Sequence, residues 1–225
     1  MNQGIYLVLI QFSVLLLSLS VHECAHAWTA DKLGDPTARF LGRVSLNPIV
    51  HSDVFGTILL PLVAAQYGMM FGWAKPVPVN VARLRNPGRD HMLVAAAGPF
   101  SNLLMALIAF TVLMAMKFSS PDLASIVRDV AGYSAIGGTI ASAIALFAYY
   151  GMVINVILAI FNLIPVAPLD GAAVISGLLP RGLAATLDRL QSYSFIIFLF
   201  LLVTGVPQYL FDPAILFLRR MLVSF

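Results

Sequence analysis

The sequence predicts an all-α polytopic membrane protein with about five to six membrane segments, one of them re-entrant, and short extended strands near the active site. Three observations lead there. The chain of 225 residues is 60% hydrophobic and only 10% charged, whereas soluble domains are about half apolar and about a quarter charged. The runs 5–21, 54–73, 92–116, 135–166 and 195–206 carry no charge at all, and several reach the roughly 18–20 residues a helix needs to cross a bilayer. The cations fall instead in short connections. Lys32, Arg39 and Arg43 lie in 31–53, and Lys75, Arg83, Arg85 and Arg89 lie in 74–91, as expected for loops on the cytoplasmic side of a membrane.

Taken in order, residues 4–30 read as the first helix. The A-x-A pattern at Ala25–Ala27 resembles a leader cleavage site, but residues 1–4 carry no Lys or Arg, so an intact membrane helix is expected. Residues 31–53 are mixed, and 38–46 read as an extended strand. The apolar run 54–73 is interrupted by Gly56, Pro61, Gly68 and Gly72. In 73–84, Pro76 and Pro78 with β-branched neighbours read as extended chain. A helix follows over 92–117, then a linker over 118–134 with a short amphipathic helix near 123–130, and another helix over 139–164. Pro165 and Pro168 interrupt the chain after it, and 193–205 with 208–224 make a closing hairpin. The whole, 1–225, is read as one membrane-embedded domain with a catalytic core at about 4–171 and a C-terminal hairpin at about 193–224. The net charge of +3 follows from the basic loops and implies no nucleic acid. The lone Cys24 excludes an internal disulfide.

Glu23 is the only glutamate in the chain, and it stands in an apolar run as His22-Glu23-Cys24-Ala25-His26. On a helix, residues four apart share a face, so His22 and His26 can bind one metal ion. Glu23 lies one residue round, where it can hold and deprotonate water at the same site. An ionisable residue at a membrane-helix centre costs roughly 2.5–3.5 kcal/mol on insertion scales, and three within five positions require a function. Zinc accepts nitrogen and oxygen ligands tetrahedrally, and three protein ligands leave one position open. With no second Glu and Lys32 six residues after His26, the third ligand is an Asp or another His: Asp170, His51, Asp53 or His91. Asp170 is distinguished by its setting, because Pro165 and Pro168 break the helix ahead of it and Gly171 gives the backbone room.

These residues resemble the site-2 protease family of intramembrane zinc metalloproteases. The pairing of HECAH with the later NLIPVAPLDG carries the resemblance, together with HSDVFGTILLP at 51–61, GWAKPVPVN at 72–80 and AGPFSN at 97–102. The closest likeness is to the compact branch without a PDZ domain. One departure is Ala172, where the family often has a second glycine. The resemblance implies one Zn2+ ion held by His22, His26 and Asp170, with Glu23 as general base. It further implies Asn102 and Asn162 as contacts to substrate backbone or oxyanion, or as bonds between helices, and His51 as a lining residue. The implied reaction is peptide hydrolysis within or near transmembrane segments of membrane-protein substrates, in a bacterial or archaeal cell membrane with loops 31–53 and 74–91 facing the cytoplasm. The extended pieces at 38–46 and 73–81 would pair with an unwound substrate. Rival classes are a metal transporter, which needs ligands spread along a path, and a non-proteolytic metal-binding relative. No oligomeric state follows from the sequence.

Overall fold

The computed structural model describes residues 3–66, 72–132, 138–180, 193–194, 196–197, 200 and 204–224. Three helices in it are long and apolar enough to cross a membrane: α1 (Gln3–Lys32), α5 (Pro87–Ser119) and α7 (Ile140–Asn162). Between α1 and α5 lie the short helices α2 (Thr37–Phe40), α3 (Pro48–His51) and α4 (Leu60–Ala65). The linker helix is α6 (Pro121–Gly132), Asp170–Leu178 forms α8, and Val206–Val223 forms α9. The α9 helix carries Asp212, Arg219 and Arg220 and is not among the three apolar spans. The first arm of the expected closing hairpin lies mostly outside the described residues.

Contacts fix how the three long helices run. His22 meets Asn102, and His26 meets the Val94 carbonyl, so α1 and α5 are antiparallel. Asn102 meets Asn155, while a Cβ on Gly151 would touch Ala109, so α5 and α7 are antiparallel as well. It follows that α1 and α7 are parallel. Val14, Leu15 and Leu19 of α1 pack with Ile154 of α7. A second apolar cluster joins Leu113, Val127, Val130, Leu146, Tyr149, Met152 and Leu222 at the other end of the bundle. There the Lys117 ammonium, 5% exposed, donates to the carbonyls of Met221 and Ser224 at 2.8 and 2.6 Å.

The connection from α1 to α5 begins and ends together. The Arg85 amide donates to the Leu33 carbonyl at 3.1 Å, and the Asn80 amide donates to Asp35 Oδ2 at 2.6 Å. Within it, residues 54–59 form a π-helical stretch continued by α4. Twelve residues of helix rise about 18 Å, short of the roughly 30 Å hydrocarbon core. Trp73 then returns to the start of this stretch, its amide donating to the Gly56 carbonyl while Thr57 Oγ1 donates to the Trp73 carbonyl. The segment turns back on itself, which is what a re-entrant element does.

The expected strands are absent among the described residues. Thr37–Phe40 is a helical turn, and Gly42 at φ +69° closes it. The amide of Arg43 donates to the Ala38 carbonyl and that of Gly42 to the Arg39 carbonyl, the paired bonds by which a left-handed glycine ends a helix. Residues 72–80 do run free of helix, but no ladder forms. Pro76 and Pro78 have no N–H, and the donors that exist go to scattered acceptors. We refer to 72–80 as the strap.

Candidate metal centre and its supports

Polar residues gather where α1, α5 and the start of α8 meet. His22 and His26 follow one another by a turn of α1, and both are more than nine-tenths buried. After α7 ends at Asn162, the chain makes a series of tight turns, with the Val166 amide on the Ile164 carbonyl and the Leu169 amide on the Val166 carbonyl. These deliver Asp170 at the first position of α8, where the partial positive charge of a helix N-terminus favours a carboxylate. A side chain on Gly171 would enter the carbonyls of Leu163 and Ile164, so only glycine lets the turn close.

The three candidate ligand atoms form a small triangle. His22 Nε2 and His26 Nε2 are 3.0 Å apart, and Asp170 Oδ2 stands 3.2 and 3.4 Å from them. A tetrahedral zinc with bonds near 2.0–2.1 Å has ligand–ligand edges of about 3.3–3.4 Å. The protonation pattern fits a cation. His26 Nδ1 must donate to the Val94 carbonyl at 2.7 Å, and His22 Nδ1 faces Asn102 Oδ1 at 2.6 Å. With both protons on Nδ1, the neutral rings turn Nε2 lone pairs toward each other and toward a carboxylate oxygen. Asp170 Oδ2 is buried without a hydrogen-bond donor. In that tautomer three lone-pair donors converge on one point, which fits a cation. Among the described residues this is the one His/Cys/Asp/Glu group with metal-ligand spacing.

Small and polar residues of α5 make the approach close. A Cβ at Gly98 would run into the imidazoles of His26 and His22. Pro99 lacks the N–H that would close the helical bond to Ala95, and the carbonyl next to that one, on Val94, holds His26. Asn102, fully buried, links three helices: its Oδ1 faces His22, and its Nδ2 donates to Asn155 Oδ1 at 2.7 Å. Asn155 Nδ2 in turn donates to Ser18 Oγ at 2.8 Å. Asn102 therefore sits behind His22, bonded between helices, which is one of the two roles the sequence offered for it. Metal-bound histidines commonly have the second ring nitrogen fixed this way.

The other sequence candidates are elsewhere. His51, 1% exposed, uses Nε2 on the Ser45 carbonyl at 2.8 Å and stays outside the triangle. Asp53 caps the π-helical stretch through the amides of Phe55 and Gly56. His91 is half-buried in the first turns of α5 and is not in the metal-spacing group. Asn162 lies at the end of α7, its Nδ2 donating back to the Leu158 carbonyl at 2.9 Å. Glu23 is partly buried beside His22, and its Oε2 accepts the Val77 amide at 2.9 Å. Sequence reasoning missed two participants. Asn155 carried a signal, an amide in the middle of an apolar helix, which asks for a partner. The Val77 amide carried almost none, because a backbone group leaves no mark on residue type.

A bundle of apolar helices with two histidines, an aspartate and a glutamate gathered on facing elements defines a membrane metalloprotease class of site. The chain belongs to Peptidase family M50, whose description matches residues 10–204. It is similar to "Putative zinc metalloprotease YwhC" of Bacillus subtilis, with 40% identity over 199 residues, 88% of this chain and 82% of that protein. It is also similar to "Putative zinc metalloprotease Rip2" of Mycolicibacterium smegmatis, with 26% identity over 84% of this chain and 64% of that protein. No solved structure matches it. The protein is thus a zinc metalloprotease of the site-2 type, built in a membrane.

Proposed function

We propose that this protein hydrolyses a peptide bond of a membrane-protein substrate within or beside the bilayer, with His22, His26 and Asp170 holding zinc and Glu23 as general base. The observation that carries the reading is the triangle of two imidazole nitrogens and a carboxylate oxygen at metal-ligand spacing, with the chain's only glutamate next to it. Zinc bound there supplies a Lewis acid and brings the pKa of a bound water to about 7. Glu23 takes a proton from the attacking water as oxygen adds to the substrate carbonyl. It then gives that proton to the amide nitrogen as the C–N bond breaks. Asp170 lowers the local charge from +2 to +1, and Asn102 holds His22 in the tautomer that offers Nε2. In this reading Asn162, at the end of α7, contacts substrate backbone. A substrate helix must unwind first, since its carbonyls are otherwise engaged. The basic stretches 31–53 and 74–91 face the cytoplasm in this reading, in a bacterial membrane like those of the relatives.

A transport reading would need ligand groups along a path, and the described residues offer one such group. The test is metal content against turnover in purified protein. Glu23→Gln should retain zinc and lose nearly all cleavage of a model membrane helix, while His22→Ala and Asp170→Ala should lose both. His51→Ala should retain most of the zinc. Wild-type cleavage by Glu23→Gln would overturn the assignment of the base, and loss of zinc from His51→Ala with retention in Asp170→Ala would exchange those two roles.

A further inference from the structure

The run Lys75-Pro76-Val77-Pro78 has one backbone donor between two residues that have none, and that donor reaches Glu23. The amides of Trp73, Lys75 and Val77 go respectively to the Gly56 carbonyl, the His51 carbonyl at 2.8 Å and Glu23 Oε2 at 2.9 Å. Their period of two is that of extended chain, so one edge of the strap carries all three bonds. The first ties the strap to the re-entrant segment, the second to the end of α3, and the third falls on the base. Two further contacts hold the strap still. Ala74 is buried among Val14, Leu15, Leu19 and Ile154. Arg43, 7% exposed, donates through Nη1 to the Val50 carbonyl at 2.6 Å and reaches the carbonyls of Lys75 and Pro76 at 3.4 and 3.5 Å. A buried guanidinium spent on backbone carbonyls costs desolvation, which fits a structure that must hold its shape.

We infer that the Val77 amide is a positioning group for Glu23: the strap, fixed by Pro76, Pro78 and Arg43, pins one carboxylate oxygen so that the other is presented to the attacking water. This rests on the proposed role of Glu23 as base. A glutamate has three rotatable bonds, and without the amide the carboxylate spends its time in many orientations. Proton transfer demands hydrogen-bond geometry at the moment of reaction, so ordering the base acts on kcat. Substrate binding is left alone, because Val77 acts through Glu23.

The experiment compares Val77→Pro, which deletes the donor while three successive prolines keep the chain extended, with Val77→Ala, which keeps the donor and trims the side chain. Both are purified as full chains with zinc and assayed on one model membrane substrate. Val77→Pro should keep its zinc and its KM while kcat falls about tenfold or more, the worth of a charge-assisted hydrogen bond. Val77→Ala should stay within about twofold of wild type, since it keeps that bond. Wild-type kcat in Val77→Pro, or an equal fall in Val77→Ala, overturns the inference. Should Val77→Pro fail to fold, amide exchange over residues 73–80 decides. Glu23→Ala should add one fast-exchanging amide there, and Glu23→Gln, whose carbonyl still accepts, should add none. Unchanged exchange in Glu23→Ala overturns it. Failure of the parent reading is separate, because it shows as wild-type turnover in Glu23→Gln whatever the strap variants do.

Discussion

Gly98 and Asn155 act on the histidines in different ways, one by close packing and the other through Asn102. Gly98 lets the α5 backbone lie against both imidazoles, so even a methyl group there must displace a ring. Overpacking of this kind costs ~1–3 kcal/mol, and here it falls on candidate ligands. Gly98→Ala is expected to lower the zinc content of the purified protein and abolish cleavage, with helix content by circular dichroism near wild type. Asn155 is two bonds from His22, through Asn102. Asn155→Leu removes the nearer acceptor of the Asn102 amide, leaving only the Ser18 carbonyl at 3.4 Å, and so loosens the partner that fixes His22. Loss of such outer support commonly weakens metal binding about 10–100-fold, and competition with a chelator followed by zinc assay reads it. The two residues differ in how legible they were. His22, Glu23 and His26 declare themselves by type and spacing, and Asp170 by its prolines and glycine. Asn155 looks like Asn162 in sequence, and only packing tells which amide is shared between helices.

Among the elements, the end of α1 and the strap are joined by one carboxylate. Asp35 is fully buried. Burial alone pushes its pKa up, but the Thr37 hydroxyl and amide, the Asn80 amide and the Arg83 charge outweigh that and leave it below the usual carboxylate value. A depressed folded pKa contributes stability that is present above the unfolded value of about 3.9. That contribution is lost as pH falls through the lower folded value. Asp35→Asn should therefore melt below wild type at pH 7, and the gap should narrow as pH falls below about 4 and close only below the depressed folded value, where the wild-type carboxylate is neutral in both states. Thermal unfolding in detergent across pH 7 to 3 measures it. The long helices and the linker helix were readable because charge-free length and amphipathic period are written in residue type. The strand expected at 38–46 does not form because Thr37–Phe40 close a helical turn that Gly42 ends in the left-handed conformation. In the strap, the absence of helix over 72–80 agrees with Pro76 and Pro78, but Val81–Arg83, expected to be extended as well, form a single 3-10 turn, and the prolines also prevent a strand.

For the whole molecule, antiparallel α1 and α5 require that both ends of their connection lie on one side. With α7 parallel to α1, the α6 end must lie on the other. In a Cys24→Ala background, single cysteines at 40 and 85 should label with an impermeant reagent from the same face of the membrane, the cytoplasmic one, and a cysteine at 125 from the opposite face. Labelling of 40 and 85 from different faces would contradict this arrangement. The α6 end also sets an order of assembly. Lys117 is synthesised 104 and 107 residues ahead of the carbonyls that receive its ammonium. Until those arrive, that charge needs water, because burying an unpaired ammonium costs several kcal/mol. The bundle's far end must therefore stay hydrated until α9 arrives, whereas the three candidate ligands are all present once Asp170 has been made. A chain halted before α9 would already carry His22, His26 and Asp170 and would still leave Lys117 without the two carbonyls that receive it.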